Sequence, residues 1–175
     1  MGTCNKRGQV WIETVTYTLI ALVMIGLILS FAKPKIEEMR DKVLIEQSLR
    51  MMKEIDQTIF EVGEDVAGNK RKLEINLKKG LINVNGENET LMFSIDSRNT
   101  YSEPGQEYID GNFNILTTEK GKLNTITITR NYTGEYDLLY KNENSSKIIT
   151  RSSNSYNLFV TNKGGETKQI NIEIN

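Results

Sequence analysis

The sequence predicts an α+β fold: a long N-terminal helix, hydrophobic in its first half and amphipathic in its second, followed by an antiparallel β-sheet or β-sandwich head. Three observations lead there. An almost unbroken apolar run extends from Val10 to Ala32, apolar residues then recur at three- and four-residue steps as far as Val66, and beyond Lys70 the period switches to two. A chain of 175 residues has room for one modest domain plus an extended helix, so a single β-rich core is expected.

Composition removes several classes of function. The 22 basic and 23 acidic side chains nearly cancel, so no field of one sign recruits nucleic acid. Histidine is absent, which takes away the commonest general base and metal ligand. The single cysteine, Cys4, offers neither a disulfide nor a thiolate site by itself. No catalytic residue, metal or cofactor is expected, and the chain reads as a non-enzyme.

The first element is a short basic head, Lys6-Arg7-Gly8-Gln9, directly ahead of the apolar run. Val10 to Ala32 covers 23 residues, about 34 Å of helix at roughly 1.5 Å per residue, which matches a hydrocarbon core of about 30 Å. Leu19 to Leu29 carries no charge, and polarity gathers at the start in Glu13, Thr14, Thr16 and Thr18. A secretory signal peptide would place a small-x-small cleavage motif after the run, where this chain reads Ser30-Phe31-Ala32-Lys33-Pro34, and the apolar residues from Leu19 to Ala32 leave an ordinary signal peptide as the alternative reading. Thr14 and Thr18 read as hydroxyls bonded back to the helix backbone. Lys6 and Arg7 precede the span while Lys33, Lys35, Arg40 and Lys42 follow it, so counting positive charges leaves the orientation undecided.

Lys6-Arg7-Gly8-Gln9 followed by an apolar helix with Glu13 near its start resembles the class III leader of archaeal type IV pilins. The resemblance covers about the first 30 residues and departs from the common pattern at Trp11 and Thr14. It implies a prepilin peptidase cut after Gly8, with Gln9 first in the trimmed chain and Glu13 fifth. It further implies a cytoplasmic N-terminus in the precursor, with the bulk of the chain outside. The mature protein would be an adhesive extracellular filament subunit that polymerises through its hydrophobic helix. The implied partners are identical or related pilin subunits, the peptidase, an assembly ATPase, a membrane platform protein and, before assembly, membrane lipid. Glu13 has two readings. By the resemblance it attracts the free amine of Gln9 on a neighbouring subunit; by helix electrostatics it is an acid favoured at a helix start within the headgroup zone. Archaellum filament subunits share the leader but commonly lack the acid. A non-polymerising single-span surface binder and a membrane-tethered hydrolase are the competing classes.

After Pro34, which permits a kink, Ile36, Met39, Val43, Ile45, Leu49, Met52, Ile59, Val62 and Val66 form a drifting apolar stripe, with stop signals at Gly63 and at Gly68-Asn69. The expected organisation is therefore a leader at 1–8, an assembly helix at 9–33, an amphipathic helix at 34–69 and a β-rich head at 70–175. Strands are expected near 73–77, 81–84, 90–95, 108–117, 123–130, 136–140, 147–150, 156–161 and 168–174. Asn85-Gly86 and Gly164-Gly165 mark turns, and a long loop is expected at 97–106. The clean alternation of the last strand places it inside a sheet, with strand exchange open to it only at an edge. Three sequons, at Asn88, Asn131 and Asn144, are candidate N-glycosylation sites. Glu61, Glu64 and Asp65 read as solvated charge, and Asp96, Asp110 and Asp137 have no calcium-loop spacing.

Overall fold

The computed structural model describes residues 6–175, with side chains from Val10 onward. One helix, α1 (Lys6–Glu64), precedes ten strands: β1 (Lys70–Ile75), β2 (Leu81–Asn85), β3 (Thr90–Ser97), β4 (Glu107–Asp110), β5 (Phe113–Lys120), β6 (Leu123–Asn131), β7 (Asp137–Tyr140), β8 (Ser146–Thr150), β9 (Tyr156–Gly164) and β10 (Gln169–Ile174). The α+β class with a β-rich head is therefore observed. Internal contacts divide the chain after Met39, so α1 residues from Arg40 onward belong to the same compact unit as the strands.

That unit contains two sheets, a four-stranded one ordered β1-β9-β10-β7 and a six-stranded one ordered β4-β5-β6-β3-β2-β8. All pairings are antiparallel except β10 with β7, so the four-stranded sheet is mixed and not wholly antiparallel. The last strand lies between β9 and β7, as its alternation requires. The stretch expected as one strand at 108–117 is two, β4 and β5, because Gly111 at φ +62° turns the chain between them. Asn85-Gly86 does open the β2–β3 turn, but the residue with positive φ is Glu89. A Cβ at Gly86 would lie 2.8 Å from the Leu138 carbonyl oxygen, so close approach to β7 is what demands glycine there.

The helix packs through a seam that the sequence pattern blurred. Asp41, Ile45, Ser48, Met52, Ile55, Ile59 and Val62 are buried at alternating steps of four and three, with Leu49 beside them. Ile36, Met39, Val43 and Val66, counted earlier in the stripe, are exposed. Removing them removes the apparent drift. These helix positions join Ile75, Ile82, Phe93, Ile115, Ile128, Val160 and Ile172 from both sheets in one continuous core.

Three polar anchors interrupt that apolar seam. Asp41, 8% exposed, accepts hydrogen bonds from Lys79 Nζ at 2.6 Å and from the Arg98 backbone N–H at 2.9 Å. Burial pushes its carboxyl pKa up, but Lys79 and the Arg98 amide outweigh that and hold it below the ordinary carboxylate value. Asp56 accepts from Arg130 Nε and from the Tyr132 hydroxyl, both at 2.9 Å, while Arg130 Nη2 donates to Glu135 Oε2 at 2.5 Å and the guanidinium lies 4.6 Å from the Tyr132 ring centroid. Burial and the adjacent Asp56 charge push the Tyr132 hydroxyl far up, so it stays a donor. At the third anchor, α1 stops at Glu64, earlier than Gly68-Asn69, because a side chain from the sheet takes its last carbonyls. Asn162, buried in β9, donates through Nδ2 to the Val62 and Asp65 oxygens at 3.1 and 2.9 Å. Gly63 stays helical and makes room for Tyr136, whose ring would lie 2.5 Å from a Cβ placed there.

Two outcomes follow for stability. Asn162→Ala strands those carbonyls and removes a buried amide, so thermal melting of the full chain in detergent should show a loss of about 1–3 kcal/mol. Asp41→Asn should cost about 1–2 kcal/mol at pH 7. Because the folded pKa of Asp41 is depressed, its contribution is complete above the unfolded value of about 4 and disappears as pH falls through the folded value, so the two melting curves should converge in acid.

Candidate functional site

The feature that most needs a partner is the first half of α1. Between Val10 and Phe31 every large apolar side chain is exposed, from Val15 at 47% to Phe31 at 78%. Fully covering one such side chain is worth about 1.5–3 kcal/mol, so the whole stretch represents tens of kcal/mol, well beyond the roughly 5–15 kcal/mol that holds a domain folded. Leaving this surface in water is therefore costly. The helix is long and apolar enough to cross a membrane, with a mean hydropathy of 2.3 in its best window and none of that window buried in the chain's own fold.

The threonine hydroxyls in this stretch are satisfied locally. Thr14, Thr16 and Thr18 each donate through Oγ1 to the carbonyl four residues earlier, at 2.9, 2.8 and 2.8 Å. Their hydroxyls need no water, which is the behaviour expected for Thr14 and Thr18 from sequence. Glu13 stands exposed among them and is the one acidic residue between Val10 and Ala32. Lys6, Arg7, Gly8 and Gln9 fall in the first turns of α1, and their side chains lie outside the described residues. Pro34 lies within α1, which continues through it without a break.

The head brings together residues that look scattered in sequence. Ser146 pairs with Asn85, Asn85 with Thr90 and Thr90 with Asn131, so one rung across β8, β2, β3 and β6 carries part of all three sequons. Asn88, Asn131 and Asn144 are all exposed at that end of the six-stranded sheet. The opposite end of β2 leads back to Lys79, the partner of Asp41. No turn signal could have announced this convergence, because it depends on strand register.

The carboxylates set aside at the sequence level have partners in the fold. Glu61 and Asp65 both pair with Arg71, the latter at 3.5 Å, and Glu64 pairs with Lys168 at 2.7 Å. Asp96 accepts from Thr125 at 2.7 Å, Asp110 from Lys53 at 2.8 Å, and Asp137 belongs to β7 in the other sheet, so those three aspartates do not converge. Among the described residues no group of three or more Asp, Glu, Cys or His side chains is placed to hold a metal ion. No protein-family model, curated protein or solved structure matches the chain.

The division after Met39 gives a direct test of where the uncovered surface resides. A fragment beginning at Arg40 retains every core position of the β-rich unit and should be soluble without detergent. Analytical ultracentrifugation should find it monomeric, whereas the full chain should aggregate unless lipid or detergent is supplied.

Proposed function

We propose that this chain is a structural subunit of an extracellular type IV pilus-like filament with a role in adhesion. In this reading a prepilin peptidase cuts after Gly8, and Gln9 becomes the N-terminus. Val10–Ala32 keeps the subunit in the membrane and then carries it into a fibre core. The observation that carries the reading is the union of Lys6-Arg7-Gly8-Gln9 with a helix whose large apolar side chains are uncovered from Val10 to Phe31. Neighbouring copies of the same helix are as apolar as lipid tails, so moving from bilayer to fibre involves little hydrophobic free energy in either direction. An assembly ATPase and a platform protein would supply the work and the scaffold. Glu13 supplies register: its carboxylate attracts the new amine of Gln9 on the next subunit, an interaction strengthened by a low-dielectric surrounding.

The reading also accounts for the disposition of the sequons. All three belong to the head and none to the apolar helix, as a protein whose β-rich part is exported requires. A single-span anchored binder is the second reading, favoured by the way Arg40–Asn175 forms a compact unit of its own. Glu13 favours a pilin over an archaellum-type subunit.

Mass spectrometry of the chain from its native cell separates these readings. The filament subunit should begin at Gln9; an anchored binder should retain Met1. Glu13→Gln should leave membrane insertion unchanged and lower the yield of filaments at least tenfold by electron microscopy. Unchanged filament yield would remove the assigned role of Glu13, and solitary, uncut chains would remove the proposal.

A further inference from the structure

The six-stranded sheet ends in two unlike edges, β4 on one side and β8 on the other. Each leaves a large apolar side chain in solvent, Ile109 at 72% exposure and Ile148 at 56%. Neither strand has a second neighbour among the described residues, so each presents backbone groups to which another strand can add. Their charges are opposite in sign. From Glu103 to Asp110 the chain carries three carboxylates and no cation, while from Ser146 to Arg151 it carries Lys147 and Arg151 and no carboxylate.

Register places the two isoleucines at the ends of one line. A single rung runs Ile109, Asn114, Thr129, Met92, Asn83, Ile148 across all six strands, on the outer face of the sheet. The rung beside it, on the core-facing side, begins at Asp110 and ends at Lys147, passing the buried Phe113 and Val84. Asp110 and Phe113 close a two-residue turn and so exchange both backbone bonds; alternation along the ladder then turns the Ile109 N–H and C=O away from β5. On β8 the Gly86 N–H donates to the Ser145 carbonyl just beyond the Asn85–Ser146 pair, so Lys147 bonds to β2 and Ile148 turns its N–H and C=O outward. Every pairing in this sheet is antiparallel and the strands number six, so β4 and β8 run in opposite directions. A second copy moved along the rungs without being turned over therefore meets the first as an antiparallel neighbour.

We propose that β8 of one copy adds to β4 of the next, with Ile148 opposite Ile109, Lys147 opposite Asp110 and Ile149 opposite Tyr108. Ile109 and Ile148 then exchange both of their outward backbone bonds and cover each other's side chains. A charge on the inner side of an edge strand ordinarily blocks strand addition, because a new neighbour would enclose it unpaired. Here the two blocking charges answer each other. Asp110 Oδ2 already accepts from Lys53 Nζ at 2.8 Å, and a carboxylate has acceptor sites for a second ammonium. Pairing β4 with β4, or β8 with β8, gathers like charges and is disfavoured. The Tyr156 hydroxyl donates to the Thr150 carbonyl at 2.9 Å, which closes the β8 edge beyond Ile149.

The contact is head-to-tail. Each added copy leaves one β4 and one β8 free, so the array stays open, and the twist of roughly 20–25° between neighbouring strands coils it. Four residues of β4 against five of β8 are few beside the roughly 20–30 a side of a stable interface, so the isolated head stays monomeric in dilute solution. Pairing needs copies already concentrated, as in a bilayer or a fibre. It gives the filament reading a second contact between subunits and rests on that reading for its place in a fibre; the complementarity of the two edges is a property of the head.

The test uses the full chain with Cys4→Ala, reconstituted in lipid vesicles at high surface density and oxidised with copper phenanthroline. Opposed residues of a bonded antiparallel pair lie about 5.5 Å apart at Cα, within disulfide reach. Ile109→Cys and Ile148→Cys in one chain should give a ladder of dimers, trimers and longer species on a non-reducing gel. Chains with Ile109→Cys alone mixed with chains with Ile148→Cys alone should stop at dimers, and either kind by itself should give at least fivefold less. Using Ser146→Cys in place of Ile148→Cys, two residues out of register, should lower the ladder at least fivefold. Adding Lys147→Glu should lower it as much and leave the melting curve unchanged, since Lys147 is exposed. The absence of a ladder, a ladder indifferent to Ser146→Cys or Lys147→Glu, or equal dimer from either single variant alone overturns the proposal. The filament reading fails separately: solitary, uncut chains in the native cell together with the vesicle ladder remove the filament and keep the pairing. Native filaments whose Ile109→Cys, Ile148→Cys subunits stay uncrosslinked remove the pairing and keep the filament.

Discussion

Covering the exposed apolar helix is the constraint on which the rest of the structure depends. Its free-energy demand exceeds the stability of an ordinary domain, so no adjustment within Arg40–Asn175 could meet it without dismantling a core that is already closed. The chain answers by keeping the two problems apart. The β-rich unit buries its own apolar residues, including those from the second half of α1, and leaves Val10–Phe31 to an external apolar phase. Lipid would satisfy that need, and in the proposed filament equivalent helices from other copies would do the same.

Within the β-rich unit the difficulty is the opposite one, of too many acceptable packings. A seam of Ile, Leu, Met and Val at alternating steps of four and three looks much the same after a shift of one heptad. Polar contacts remove the degeneracy. Asp41 meets Lys79 and the Arg98 amide, Asp56 meets Arg130 and Tyr132, and Asn162 meets the carbonyls at the end of α1. A displaced helix would leave a buried carboxylate or arginine without its partner, at several kcal/mol, so the anchors select one register even where they add little net stability over apolar replacements.

This division explains what was legible in the sequence. Periodicity exposed the helix, the switch to strands and the interior position of β10, because each depends on local alternation and one buried face. It misplaced Ile36, Met39, Val43 and Val66, since an apolar residue at the right spacing looks buried whether or not anything lies opposite it. It joined β4 to β5 because Gly111 is a lone glycine among strand formers. The parallel β7–β10 pairing, the Asn162 cap and the convergence of the three sequons on one rung had no local signal at all. Each is a relation between segments tens of residues apart, fixed by strand order and register. Glu13 was visible as an anomaly, and the buried Asn162 was not, because an asparagine in a strand announces nothing until its neighbours are known.

The two halves of the chain also satisfy their polar atoms in contrasting ways, and the contrast bears on what each can do. In the apolar helix, Thr14, Thr16 and Thr18 bond to carbonyls one turn back, so the hydroxyls lose nothing when the surroundings change from lipid to protein. In the head, the polar anchors of the helix are satisfied across long sequence separations, as with Asn162 and Val62 or Arg130 and Asp56, and changing the packing breaks them. Local bonding therefore makes the helix portable between apolar environments, while distant bonding makes the head rigid. The proposed filament subunit, which would leave a bilayer and present an unchanged surface outside it, would need that combination, and neither mode of satisfaction alone would provide it.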